Sequence, residues 1–165
     1  MDENKILVVY YSRTGNTRKV AEAIAAGLGA DVEEVIDTTN RRGPIGAVRA
    51  GKDAVLKRPA AIEEAQKAPA SYRLVVVGTP VWAGTMCSAV RTYLAREKDV
   101  LPQVAFFLTT MRSGAEQTFA QMTELAGKAS VATLEVRAGD VKADRYAEAV
   151  GAFVKRLRED GPAEA

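Results

Sequence analysis

Histidine is missing from all 165 residues of this sequence. That absence excludes Ser-His-Asp and Cys-His catalysis, His-ligated zinc and imidazole proton shuttling. Chemistry at neutral pH must then rest on a bound cofactor, a carboxylate or cationic side chains. Cysteine is nearly absent too. Cys87 stands alone, which excludes an intramolecular disulfide framework and makes a cytoplasmic location the default expectation. No segment approaches the roughly 18 uninterrupted apolar residues of a membrane span, so no membrane insertion is expected. The apolar run "KILVVYY" near the N-terminus lacks the cleavage site of a signal peptide and reads as a strand. A formal net charge of +2 is too small to argue for nucleic acid.

What is present is an alternation of apolar runs and helical patterns. Strands are expected over 5–11, 31–37, 72–80, 103–110 and 131–137, from β-branched and aromatic density or from alternation. Between them, Val20, Ala21, Ile24, Ala25 and Leu28 recur at helical spacing before Gly29. Further helices are expected over 44–57, 88–96, 115–127 and 143–158, and "AIEEAQ" (61–66) suggests one more helical turn. Strands that are apolar on both faces and alternate with helices imply a parallel sheet covered on both sides. The expected fold class is a single doubly wound α/β domain over residues 1–160, with 161–165 a frayed tail.

Ligands bind such sheets beyond the carboxyl ends of the strands, near the point where the strand order reverses. That singles out "SRTGNT", "TPVWAG" and "TTMRSG". The first lies between a strand and a helix N-terminus, where unpaired amides and the helix dipole favour an anion. Gly15 allows the backbone to curl, and Ser12, Thr14, Asn16 and Thr17 add short donors. The same residues also serve as ordinary helix-capping types. Neither a G-x-x-x-x-G-K-[ST] nor a G-x-G-x-x-G pattern is present, so a single terminal phosphate monoester fits better than a triphosphate or a dinucleotide.

The S-x-T-G-N-T loop after an apolar first strand strongly resembles the FMN phosphate loop of flavodoxins. The second loop, "GTPVWAG", is similar to the flavin-flanking loop of that family. The resemblance implies FMN as cofactor and a five-stranded sheet of order 2-1-3-4-5, as in short-chain flavodoxins. It implies that Ser12, Arg13, Thr14, Gly15, Asn16 and Thr17 surround the ribityl phosphate. It places Thr79, Pro80, Val81, Trp82, Ala83 and Gly84 along the flavin, with Trp82 packed on the isoalloxazine and the Ala83–Gly84 backbone at N5. From the third loop it draws Thr110, Met111, Arg112 and Gly114. The usual stacking tyrosine is missing there, so the outer flavin face is either open or covered by the basic segment 41–58. Arg112 is either a cation near flavin N1, which would raise the potential, or an ordinary solvated arginine.

Other doubly wound families fail on the same loops. Cys87 has Arg91 four residues on rather than the C-x5-R of a small phosphatase, and Thr79-Pro80 stands where a receiver domain carries its acceptor aspartate. Cys87 therefore reads as a small hydrophobe. Three functions remain: an FMN-dependent electron carrier serving redox partner proteins, a NAD(P)H-dependent quinone or FMN reductase, or an interaction module with its flavin site empty. The carrier reading is preferred, although the slight basicity and the cations Arg41, Arg42, Arg49, Lys52, Lys57 and Arg58 differ from the acidic surface usual for flavodoxins. That run reads either as a solvated helix or as a positive rim beside the anion site.

Overall fold

The structure, a computed structural model, describes residues 4–160. The expected tail at 161–165 lies outside the described residues. The chain runs β1 (Ile6–Tyr10), α1 (Asn16–Leu28), β2 (Asp31–Glu34), α2 (Gly43–Val55) and a 3-10 turn (Pro69–Ser71). It continues through β3 (Leu74–Trp82), β4 (Thr85–Met86), α3 (Ser88–Glu97), β5 (Gln103–Thr110) and α4 (Ala115–Ala126). It closes with β6 (Thr133–Arg137), α5 (Ala138–Lys142) and α6 (Ala147–Glu159).

Five strands pair in parallel in the order β2-β1-β3-β5-β6, and β4 turns back antiparallel on the end of β3. Setting that short hairpin arm aside, this is the expected 2-1-3-4-5 order. Alternate residues of the central strands serve opposite faces, as the pleat requires. Ile6, Val8, Leu74, Val76 and Phe107 pack with Val20, Ile24, Val150, Phe153 and Leu157 of α1 and α6. Leu7, Val9, Val75, Val77 and Phe106 pack on the other face with Val90, Leu94, Met122 and Ala126 of α3 and α4.

Three elements differ from the sequence reading. The segment 61–66 forms no helix. Ile62 bridges Asp37 in antiparallel fashion, and Thr38 and Glu63 exchange backbone bonds with Ala61 and Ile36. One Glu33 carboxylate oxygen then receives the amides of Gln66 and Lys67. This strap lies along the outer side of β2. The helix expected over 143–158 begins only at Ala147, as α6, after a turn in which Asp144 takes φ +56°, and a separate short α5 precedes it. The second loop is no loop at its start, because β3 extends through Trp82 and β4 completes a hairpin.

Candidate functional site

The carboxyl ends of β1, β3 and β5 bring the three selected loops together. Gly15 stands at the N-terminus of α1 with φ +99°, a left-handed conformation that side chains rarely adopt. Its amide donates to Ser12 Oγ at 3.0 Å, which closes the loop on itself. No side chain caps α1, so its first-turn amides stay available to an anion. A cleft of about 130 Å³ is lined by Ser12, Thr14, Asn16 and Thr17 on one side and by Pro80, Val81 and Met111 among its other walls. No carboxylate lines it, and Arg13 is its one charged side chain. A phosphate would therefore meet donors and a cation without repulsion, so the residues present fit a phosphate monoester.

The donors are not equivalent. Thr14 is exposed, whereas Thr17 is buried and its hydroxyl lies 2.8 Å from that of Thr109. That pair fastens the first turn of α1 to the end of β5. Thr109 was not among the residues selected by sequence; its neighbour Thr110 was. Thr110 is buried and its hydroxyl donates to the Ser113 carbonyl, shaping the third loop. Met111 and Arg112 are exposed.

In the second loop, Pro80 and Val81 border the cleft, but Thr79 is turned into the core. Its hydroxyl donates to the Pro80 carbonyl at 2.8 Å and receives the Cys87 amide at 3.2 Å. Cys87 is fully buried at the start of α3, and burial pushes its thiol up to about 11. It is no nucleophile in this state. The hairpin turn is Ala83 at φ +50° and Gly84 at φ +79°. Two consecutive left-handed residues give the tight turn that matches strand twist. Gly114 of the third loop approaches so closely that a Cβ there would lie 2.8 Å from the Gly84 Cα. The second and third loops thus touch through two glycines.

Trp82 leaves the hairpin partly exposed and is held by two neighbours. The Tyr11 ring meets it edge-on at 5.4 Å between centroids, and the Arg41 guanidinium lies 5.6 Å from its ring centre. Burial alone would lower the Arg41 pKa. Hydrogen bonds to Asp37 and Asp53 outweigh that and raise it. Its Nε reaches Asp37 at 2.6 Å and its Nη1 reaches Asp53 at 2.9 Å, while Arg13 donates to its carbonyl at 3.4 Å. Arg41, the first cation of the basic run, is therefore a buried strut that ties the Ser12–Thr17 loop to Trp82. It does not belong to a solvated rim. The segment that follows it lies beside the second loop, where a Cβ built on Gly51 falls 3.9 Å from that of Ala83, and it leaves Met111 80% exposed.

The flavodoxin family model matches residues 5–149. The chain belongs to the flavodoxin family. Among solved structures it is similar to a flavoprotein from Lactobacillus acidophilus NCFM crystallised with FMN. The two are 22% identical with a TM-score of 0.67, over 87% of this chain and 98% of that one. Flavodoxin 2 from Bacillus cereus, in its oxidised form, is 18% identical with a TM-score of 0.57, over 94% and 98%. A WrbA-like flavodoxin from Agrobacterium tumefaciens is 16% identical with a TM-score of 0.60, over 96% and 99%. At these identities the likeness is one of fold. No described helix is long and apolar enough to cross a membrane.

Proposed function

We propose that this flavodoxin binds FMN with the phosphate in the Ser12–Thr17 cradle and works as an electron carrier between redox partner proteins. The observation that carries the reading is the uncapped, left-handed entry to α1, opening into a cleft whose lining has one cation and no acid. The FMN held by the Lactobacillus acidophilus flavoprotein, on the same fold, supports the choice of cofactor.

When bound, the flavin supplies the redox chemistry, a reversible uptake of electrons. The protein's part is binding and tuning. Thr14 and Asn16 would donate to phosphate oxygens, the Thr17–Thr109 hydroxyl pair would hold the cradle open, and Trp82 would flank the ring system. The carrier reading is preferred over a hydride-accepting reductase because the Ser12–Thr17 loop and the family match follow flavodoxins, whereas no segment matches a reductase motif as well.

The test is anaerobic. FMN-loaded protein is mixed with NADH or NADPH alone and the flavin absorbance is followed. A carrier shows no bleaching with either nucleotide, yet is reduced by dithionite. Rapid bleaching by a nicotinamide nucleotide would replace the carrier reading with the reductase. For the cradle itself, Thr14→Ala should weaken FMN by about 1.5–3 kcal/mol, the worth of a hydrogen bond to a charged group. An unchanged Kd would remove Thr14 from the phosphate site.

A further inference from the structure

The helix that follows Arg41 has one face the site consumes and one that it leaves outside. Gly46, Ala50 and Ala54 of α2 are buried inward. On the outward side, Ile45 is 80% exposed, Val48 72%, Val55 58% and Leu56 52%. Large aliphatic side chains this exposed, gathered on one element, mark a contact surface rather than the scattered apolar residues of ordinary protein exteriors. Arg42, Arg49, Lys52, Lys57 and Arg58 are exposed among them. The one carboxylate between residues 43 and 60 is Asp53, and Arg41 at 2.9 Å and Arg58 at 3.5 Å already share it. A groove of about 510 Å³ runs over Pro44, Ile45 and Val48, with Arg49, Lys52 and Arg58 at its sides.

We infer that the outward face of α2 is a docking surface for an acidic protein partner. Carboxylates of the partner pair with Arg42, Arg49, Lys52 and Arg58, and an apolar side chain of the partner seats in the groove over Ile45 and Val48. Charge complementarity selects this occupant. A second copy of the chain, paired about a two-fold axis through the same patch, would set cations against cations. A bilayer surface suits a helix whose cations sit on a face apart from its apolar residues. Here they interleave: Ile45 and Lys52 are seven residues apart, so both fall on one azimuth of the helix. The position also serves the carrier. With α2 packed against Ala83, a partner on its outer face lies about one helix diameter, roughly 10–12 Å, from the Trp82 hairpin. Only this redox consequence rests on the FMN reading; the docking itself does not.

The test uses native cytochrome c, which is basic, and its succinylated derivative, in which lysines have become carboxylates. Calorimetry with the flavin-free chain should give at least tenfold tighter binding to the succinylated form at 20 mM salt. That affinity should fall at least fivefold by 200 mM salt. Arg49→Glu with Lys52→Glu should invert the preference. Ile45→Ser with Val48→Ser should weaken binding severalfold at both salt concentrations and leave the salt slope unchanged. With FMN loaded and reduced beforehand by dithionite, two electrons leave each flavin and convert two haem irons from Fe(III) to Fe(II). The rates should follow the same order. Equal affinity for the two cytochromes would overturn the inference. So would tighter binding to phosphatidylserine vesicles than to the succinylated protein, or a micromolar dimer dissolved by Ile45→Ser with Val48→Ser. Loss of FMN binding alone would leave the calorimetric result standing, and a failed docking would leave the FMN titration untouched.

Discussion

Consider Arg41→Met, which keeps an unbranched side chain of similar reach and deletes the guanidinium. Asp37 then loses its 2.6 Å partner and Asp53 its 2.9 Å partner. The Asp37 side chain is 1% exposed and retains the Thr39 amide at 2.8 Å on its other oxygen, so water cannot replace what is lost. Breaking a buried pair from one side costs about 3–5 kcal/mol, and removing a cation from over an aromatic ring adds about 0.5–2 kcal/mol where water is excluded. These contributions overlap, and a net loss of about 4 kcal/mol is expected, a large share of the 5–15 kcal/mol of an ordinary domain. With a urea slope of about 2 kcal/mol/M the midpoint should drop by about 2 M. Trp82, the single tryptophan, reports the transition by its own emission. Asp37→Asn added to Arg41→Met should recover about 2 kcal/mol, because the most buried charge is then gone. A loss below about 1 kcal/mol in the single variant, with no recovery in the double, would show that the strut behaves as a solvated surface pair and refute the reasoning.

Two further perturbations probe the core and the loop contact. Burial raises the Cys87 thiol from 9.0 to about 11, so its stabilising contribution is full below pH 9 and is lost as pH climbs through 11. Urea midpoints of the parent and of Cys87→Ala, measured at pH 8 and pH 10.5, should converge by roughly 2 kcal/mol, and parallel curves would contradict this. Gly114→Ala places a Cβ 2.8 Å from Gly84 at a backbone φ of +102°, so the hairpin must move. Flavin titration should show FMN weakened about tenfold, with stability lowered by about 1 kcal/mol or more; an unaltered Kd would mean that the two loops do not support each other.

The sheet was legible because its strands carry their own signal. The runs around Val8, Val76 and Phe106 are apolar on both faces, and only a central parallel strand needs that. The first loop was legible for a related reason: Gly15 and its short polar neighbours break two apolar elements where a doubly wound sheet binds ligands. The hairpin at Trp82 was hidden because Pro80 and Gly84 both read as loop residues, and the pairing of Val81 with Met86 is a tertiary fact. The helical reading of "AIEEAQ" followed local propensity and lost to the backbone bonds that Ala61 and Glu63 make with the chain after β2. Arg41 was concealed among like charges. Its Asp37 partner lies four residues back, within reach of a helical rule, but Asp53 is brought in only by the docking of α2. Buried ion pairs leave no pattern in a sequence beyond composition.

The strap along β2 bears on behaviour at high concentration. An open parallel sheet ends in a row of unpaired backbone groups, and a strand from another molecule can add there. Just past β2 that invitation is withdrawn, since Ala61 and Glu63 exchange bonds with Thr38 and Ile36, and the strap then runs back beside the strand. The closure leans on one side chain, since a single Glu33 oxygen receives both the Gln66 and the Lys67 amides, at 2.5 Å and 3.0 Å. Protection of this sheet margin against aggregation therefore hinges on one carboxylate of β2.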